Sequence, residues 1–251
     1  MRKLQKSFLK KTLEVYYSQS INKISTEQLI KTPQKIERSV IVKTGNGRTH
    51  NLRFKHFSTK EPPYEWIFYR QNSNKNINFL PAFILGSKLK NGKFIYFLQD
   101  YSNKEILESP VRIFDNFCEL LKSFKTELND FKYNKDYFDN FKIYLKDNGY
   151  SNIINYYNEY FNSKKHMEIS CLFNKNNLAY SENALKIMDL NELNYHIPGF
   201  SYWSLYKDKD NISINDYLNS FLDKTNWDFS MLKKLSYLEY NFNIEYEKKE
   251  Y

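Results

Sequence analysis

Four residues between positions 50 and 70 carry side chains suited to chemistry on a phosphodiester: His50, Arg53, His56 and Arg70. A metal-independent ribonuclease needs a general base, a general acid and cations around the scissile phosphate. Two histidines and two arginines supply that set. Their spacing speaks against it. On an extended strand His50 and His56 share a face yet lie about 20 Å apart, at roughly 3.3 Å per residue, and Arg53 points the other way. The same distance prevents the two imidazoles from sharing one metal ion. No HExxH, CxxC, GxSxG, Walker A or GxGxxG pattern occurs in the chain. Glu247-Lys248-Lys249 resembles the E-x-K half of a nuclease site, but it stands in the terminal tail. No cofactor and no metal is therefore expected. Catalysis is the lesser reading, with His50, His56 and Arg70 as its candidates.

Charge points to a different class. The chain of 251 residues carries a formal net charge of +9. Residues 1–60 hold 14 Lys/Arg against 3 Asp/Glu, whereas residues 61–251 hold 24 against 26. A one-sided basic surface attracts phosphate backbones by counterion release and steering. Lys3, Lys6, Lys10, Lys11, Arg48, Arg53 and Lys55 are the residues placed to make such contacts. Exposed aromatics such as Tyr64, Trp66, Tyr69 and Tyr96 would stack bases. Composition tempers this reading: 32 Lys and 30 Asn against 6 Arg and 6 Gly is the bias of an AT-rich genome. The leading expectation is a non-enzymatic protein that binds nucleic acid or a nucleoprotein through its basic N-terminal region. A phage or mobile-element inhibitor of a host protein or ribonucleoprotein is the second, because aromatic-rich surfaces suit interfaces. The small metal-independent ribonuclease is the third.

The elements that must position these residues follow from periodicity. Residues 2–17 form an amphipathic helix with Leu4, Phe8, Leu9, Leu13 and Val15 on its apolar side. Ser25 caps a short second helix that ends before Pro33. Five strands follow, at Arg38–Lys43, His50–Phe57, Tyr64–Arg70, Ile77–Leu85 and Lys93–Gln99. Turns at Gly45-Asn-Gly47, Pro62-Pro63, 72–76 and Asn91-Gly92 separate them. Alternation puts His50, Leu52, Phe54 and His56 on one face, and Asn51, Arg53, Lys55 and Phe57 on the other. Pro81 confines its strand to an edge or a bulge.

From Ser109, a good N-cap followed by Pro110, the period changes to 3.6. Ile113, Phe117, Leu120, Leu121, Phe124, Leu128 and Phe131 mark one helical stripe. Further helices are expected at 136–147, from Ser151, at 181–194, from Ser213 and at 229–245, with an isolated strand at Met167–Phe173. The fold class is α+β: an N-terminal helix and five-stranded antiparallel meander, then a mainly helical C-terminal half. The division falls at 1–105 and 106–251. Cys118 and Cys171 form no disulfide framework, no run of about 18 apolar residues spans a membrane, and no apolar leader is evident. A cytoplasmic or otherwise intracellular setting is expected.

Overall fold

A computed structural model describes residues 3–72, 77–89, 92–100, 113–128, 134–161, 166–173, 177–181, 184–206, 212–222 and 228–250. The Ser109–Pro110 cap, the boundary near 103–109, Phe131 and most of the 72–76 turn lie outside the described residues. The chain forms two compact units. The first comprises residues 1–102 and 186–191, the second residues 103–185 and 192–251.

The first unit is built on a five-stranded antiparallel sheet: β1 (Ile21–Lys31), β2 (Lys35–Thr44), β3 (Thr49–Phe57), β4 (Phe83–Lys88) and β5 (Phe94–Gln99). Their spatial order is β1-β2-β3-β5-β4. The glycine turn falls between β2 and β3, where Gly47 takes φ +83°. Asn46 Oδ1 accepts from the Thr44 hydroxyl at 2.7 Å and from Arg48 N at 3.2 Å. Strand β3 lies at the centre, with Leu52 opposite Val40 on one side and Gln99 on the other.

Alternation gives the sheet two unlike faces. On one, Val40, Val42, Leu52 and Phe97 meet Leu9 and Leu13 of helix α1 (Lys3–Tyr17), with Ile21 and Ile84 completing the cluster. Burial at positions 9 and 13 is the i, i+4 spacing of one helix face. Glu14 Oε1 accepts from Ile21 N at 3.1 Å and ties the helix end to the start of β1. The opposite face carries Lys35, Glu37, Arg53, Lys55 and Tyr96, set by the pairings Glu37–Lys55 and Lys55–Tyr96.

The fold class stands, while several elements exchange type. Ser25–Ile30, expected as a helix, lies inside β1, which pairs with β2 from Ile21 to Lys31. An isolated turn or two of helix is marginal in water, and the β-branched residues of this segment gain a full ladder instead. Tyr64–Arg70, expected as a strand, is helix α2 (Tyr64–Gln71), with Glu65, Trp66, Phe68 and Tyr69 buried. Aromatics on all sides of a seven-residue run leave period 2 and period 3.6 indistinguishable. β4 begins after Pro81, on the sheet edge, so the proline disrupts no ladder.

The second unit carries the expected stripe on α3 (Phe114–Glu127), where Phe117, Leu120, Leu121 and Phe124 are buried. It continues through α4 (Lys135–Asp147) and α5 (Ser151–Phe161). Asn134 caps α4 by accepting from Tyr137 N at 3.1 Å, and Gly149 follows it at φ +79°. Short strands β6 (Glu168–Ser170) and β9 (Asn194–His196) pair antiparallel. The helix expected at 181–194 is instead strand β8 (Ala184–Ile187), after β7 (Leu178–Ser181), then a single 3₁₀ turn at Leu190–Glu192 and β9, residues 186–191 of this stretch belonging to the first unit. Its few apolar residues are consistent with either period. Helices α6 (Phe200–Leu205), α7 (Ile214–Phe221) and α8 (Phe229–Glu250) complete the unit. Ser213 and Asp216 form the expected capping box on α7.

Leu13 is fully buried and Lys11 exposed on the same helix. Leu13→Ala should cost about 2–5 kcal/mol through lost transfer and cavity terms. Lys11→Ala should stay within about 0.5 kcal/mol. Urea denaturation of both variants checks the assignment of α1's inner face.

Candidate functional site

The polar face of the sheet holds an alternating ladder of buried charges. Arg53, on β3, donates from Nη2 to Asp100 Oδ1 at 3.3 Å and from Nη1 to Glu37 Oε1 at 3.1 Å. Glu37 Oε2 lies 3.1 Å from Lys35 Nζ. Lys35 Nζ contacts Asp189 Oδ2 directly, and Lys55 Nζ lies 3.4 Å from the same oxygen. Lys55 also donates to both oxygens of Glu65, at 3.1 and 3.0 Å, and to the Met188 carbonyl. Its side chain has no exposed surface.

Three elements place these groups. Lys55 sits mid-strand on β3, between Glu37 and Tyr96. Glu65 lies in the first turn of α2, which starts from Pro63 without a side-chain cap of its own. Asn191 does that work from a distance. Its Oδ1 accepts from Glu65 N at 3.1 Å, and its Nδ2 donates to Glu65 Oε2 at 2.9 Å and to Asp189 Oδ1 at 3.2 Å. The segment 186–191 is pinned in turn by Lys186 Nζ on the Asn78 carbonyl at 2.5 Å and by Ile187 N on the Phe79 carbonyl at 2.8 Å.

Protonation follows from these contacts. Burial depresses the Lys55 ammonium, but the Asp189 and Glu65 carboxylates outweigh it and hold its pKa above the ordinary value. Burial also disfavours the Asp189 carboxylate, yet Lys55 and Lys35 together pull it well below the usual range. For Glu65 desolvation outweighs the attraction of Lys55, the neighbouring Asp189 carboxylate adds to it, and the pKa is pushed up to about 8. Among the described residues four carboxylates thus meet three cations in this network, and burial raises the carboxyls of both Glu65 and Asp100.

The residues singled out from sequence are scattered. Arg53 and Lys55, expected on a phosphate-tracking surface, are buried against carboxylates. Period-2 alternation gave their face correctly but not what covers it. Lys10 and Lys11 on α1 and Arg48 beyond the glycine turn are exposed. Lys10 lies 3.8 Å from Glu14. The side chains of Lys3 and Lys6 lie outside the described residues. His50 stacks on Tyr17 at 4.0 Å and His56 on Phe54 at 6.5 Å, both on the α1 side of the sheet. Burial lowers the pKa of each imidazole. Arg70 lies on α2 above the Trp66 ring, 4.9 Å from its centroid. Sequence reasoning missed Glu37, Glu65, Asp189 and Asn191. No local signal marked them: on its strand face Lys55 stands between Arg53 and Phe57, a pattern that a surface strand also shows.

In the second unit the buried carboxylates are consumed internally. Glu168 accepts from Gly199 N at 3.0 Å, Ser201 N at 2.7 Å and Tyr217 OH at 2.9 Å. Glu239 accepts from Ile197 N at 2.8 Å and lies 3.0 Å from His196 Nδ1. These hold strand ends and helix starts together.

An N-terminal antiparallel sheet with helices, followed by a helical half, matches a kinase-like fold. Among solved structures, the chain aligns with a thermostable mutant of aminoglycoside phosphotransferase APH(4)-Ia in its apo form. The TM-score is 0.55 at 7% identity, covering 93% of this chain and 89% of that one. Another structure of APH(4)-Ia gives 0.47 at 7% identity over 93% and 88%, too distant to add to the assignment. No protein-family profile and no curated protein matches the sequence. At this identity the likeness concerns the fold and assigns no residue its role. It nevertheless overturns the expectation of a non-enzymatic nucleic-acid binder, together with the inhibitor and ribonuclease alternatives. The sheet belongs to a kinase-like fold, and two of the proposed nucleic-acid contacts, Arg53 and Lys55, are buried in it.

Because Glu65 binds its proton more tightly folded than unfolded, its contribution to stability is lost as pH rises from the ordinary value of 4.5 through about 8. Glu65→Gln mimics the protonated acid and escapes that loss. Its thermal midpoint should gain on the parent's steadily between about pH 5 and about pH 8. A constant difference across that range would show that Glu65 is ionised throughout.

Proposed function

We propose that this chain is a phosphotransferase that takes a nucleoside triphosphate as donor. The observation that carries the reading is the Lys55–Glu65 pair joining β3 to α2, with Asp189 against the same ammonium. In protein kinases that lysine–glutamate pair must be in place for transfer, and an aspartate works beside it. Lys55, fixed from several directions, supplies a positive charge that does not reorganise as charge develops on the phosphoryl group. In the reaction, the bond between the γ-phosphorus and the bridging oxygen breaks. A bond forms to an acceptor hydroxyl oxygen, the hydroxyl proton is released, and the nucleoside diphosphate leaves.

Phosphotransferases of this fold use a divalent cation held in part by such an aspartate. Asp189 does not fit that task here. Both its oxygens are taken: Oδ2 by Lys35 and Lys55, Oδ1 by the backbone and side-chain nitrogens of Asn191. Among the described residues no three potential metal ligands converge. No step through a metal ion is assigned.

The acceptor class we propose is a hydroxyl-bearing small molecule. Aminoglycosides are the first to test, since the aligned enzyme is named for them. An intracellular setting suits a nucleotide donor and the two buried cysteines, Cys118 and Cys171, neither of which is in a disulfide. Among the described residues no helix is long and apolar enough to cross a membrane.

γ-Labelled ATP incubated with a panel of acceptors, with and without magnesium, should yield labelled product. Lys55→Met should lower the rate by about 100-fold or more, the usual cost of removing a preorganised charge. Calorimetry that detects no nucleotide under any condition, with no transfer, would sink the proposal.

A further inference from the structure

Lys35 is the least buried member of the ladder. Its side chain keeps 15% of its surface exposed, against none for Lys55 and 3% for Asp189. Its position is built into the backbone. The β1–β2 turn is closed by Thr32 N on the Lys35 carbonyl at 2.8 Å, and Lys35 N donates back to Thr32 Oγ1 at 3.0 Å. Pro33 fixes φ at the first central position of that turn. From there the Lys35 stem crosses the Phe57 ring, with Nζ 5.9 Å from its centroid, and the ammonium reaches Asp189 and Glu37. It therefore stands on the carboxylate oxygen that a divalent ion would otherwise bind.

A tethered ammonium has an advantage over a dissolved ion. Its effective concentration at Asp189 is set by its own strand, on the order of millimolar or above, and it needs no further dehydration to stay there. Of the two ammoniums on Asp189, only Lys35 keeps exposed surface with which a phosphate could pair. We infer that Lys35 is the resident counter-cation of Asp189, and that the site takes the phosphates of its nucleotide on the Lys35 ammonium without a divalent ion. The inference rests on the phosphotransferase reading and specifies the ligand of that same site: a metal-free nucleoside triphosphate.

Calorimetric titration of ATP into the full chain, in EDTA and in excess magnesium, tests both readings separately. The affinities in the two buffers should agree within about threefold. In Lys35→Met, binding in EDTA should weaken by about tenfold or more and magnesium should restore it. Lys35→Arg, which keeps the charge, should bind in EDTA like the parent. Manganese alone, followed by water-proton relaxation, should bind Lys35→Met and leave the parent unoccupied. ATP binding by the parent only when magnesium is present would overturn the inference and leave the phosphotransferase proposal intact. Equal indifference to magnesium in Lys35→Met would also overturn it, because the ion's place would not be Lys35's. Failure to bind ATP in either buffer would end both.

Discussion

A lysine ammonium with no exposed surface is the constraint around which the first unit is organised. An uncompensated ammonium in the interior would lose its proton or unfold the site. Lys55 keeps its charge because α2 and the segment 186–191 both bring oxygens to it. Neither belongs to the strand that carries the lysine. The short α2 helix has few internal bonds to hold it, and its first turn is anchored by Glu65 on Lys55 and by Asn191 on Glu65 N. Position, charge and helix start are one interaction viewed from three elements.

The sheet separates two kinds of cohesion. On the α1 side, aliphatic and aromatic side chains exclude water and stabilise by area removed from solvent. On the other side, ion pairs do little for net stability, since desolvation offsets much of their attraction. What they provide is definition. Removing one partner leaves an uncompensated charge, so few arrangements of the ladder are tolerable, and the sheet is held in register against α2 and 186–191. A phosphate-handling site gains from that rigidity more than from raw stability.

Much of this was legible before any coordinates. Strands β2, β3 and β5, the glycine turn, the α3 stripe and the Ser213 cap follow from periodicity and capping chemistry acting over neighbouring residues. The assignment of Arg53 and Lys55 to the face opposite His50 and His56 was also correct. Errors fell where a local preference met a distant partner. Ser25 has a respectable helix start, yet β2 offers the segment a full ladder. Tyr64–Arg70 shows aromatics on every side, and only its packing against the sheet decides the period. Lys55 was read as a surface charge because its partners lie 10 and 134 positions away, and no pattern in one sequence announces such pairings.

The return of residues 186–191 to the first unit bears on how the protein can be divided. An N-terminal fragment ending at position 102 would retain every strand of the large sheet, yet it would lack the Asp189 carboxylate, the Met188 carbonyl and the Asn191 amide. Lys55 would then be sealed beside Glu65 alone, and Lys35 would lose its deeper anchor. The sheet is contiguous in sequence, but its electrostatic closure is not. The smallest autonomous piece of this fold must extend past the site's last residue, and its assembly must wait until that residue has been synthesised.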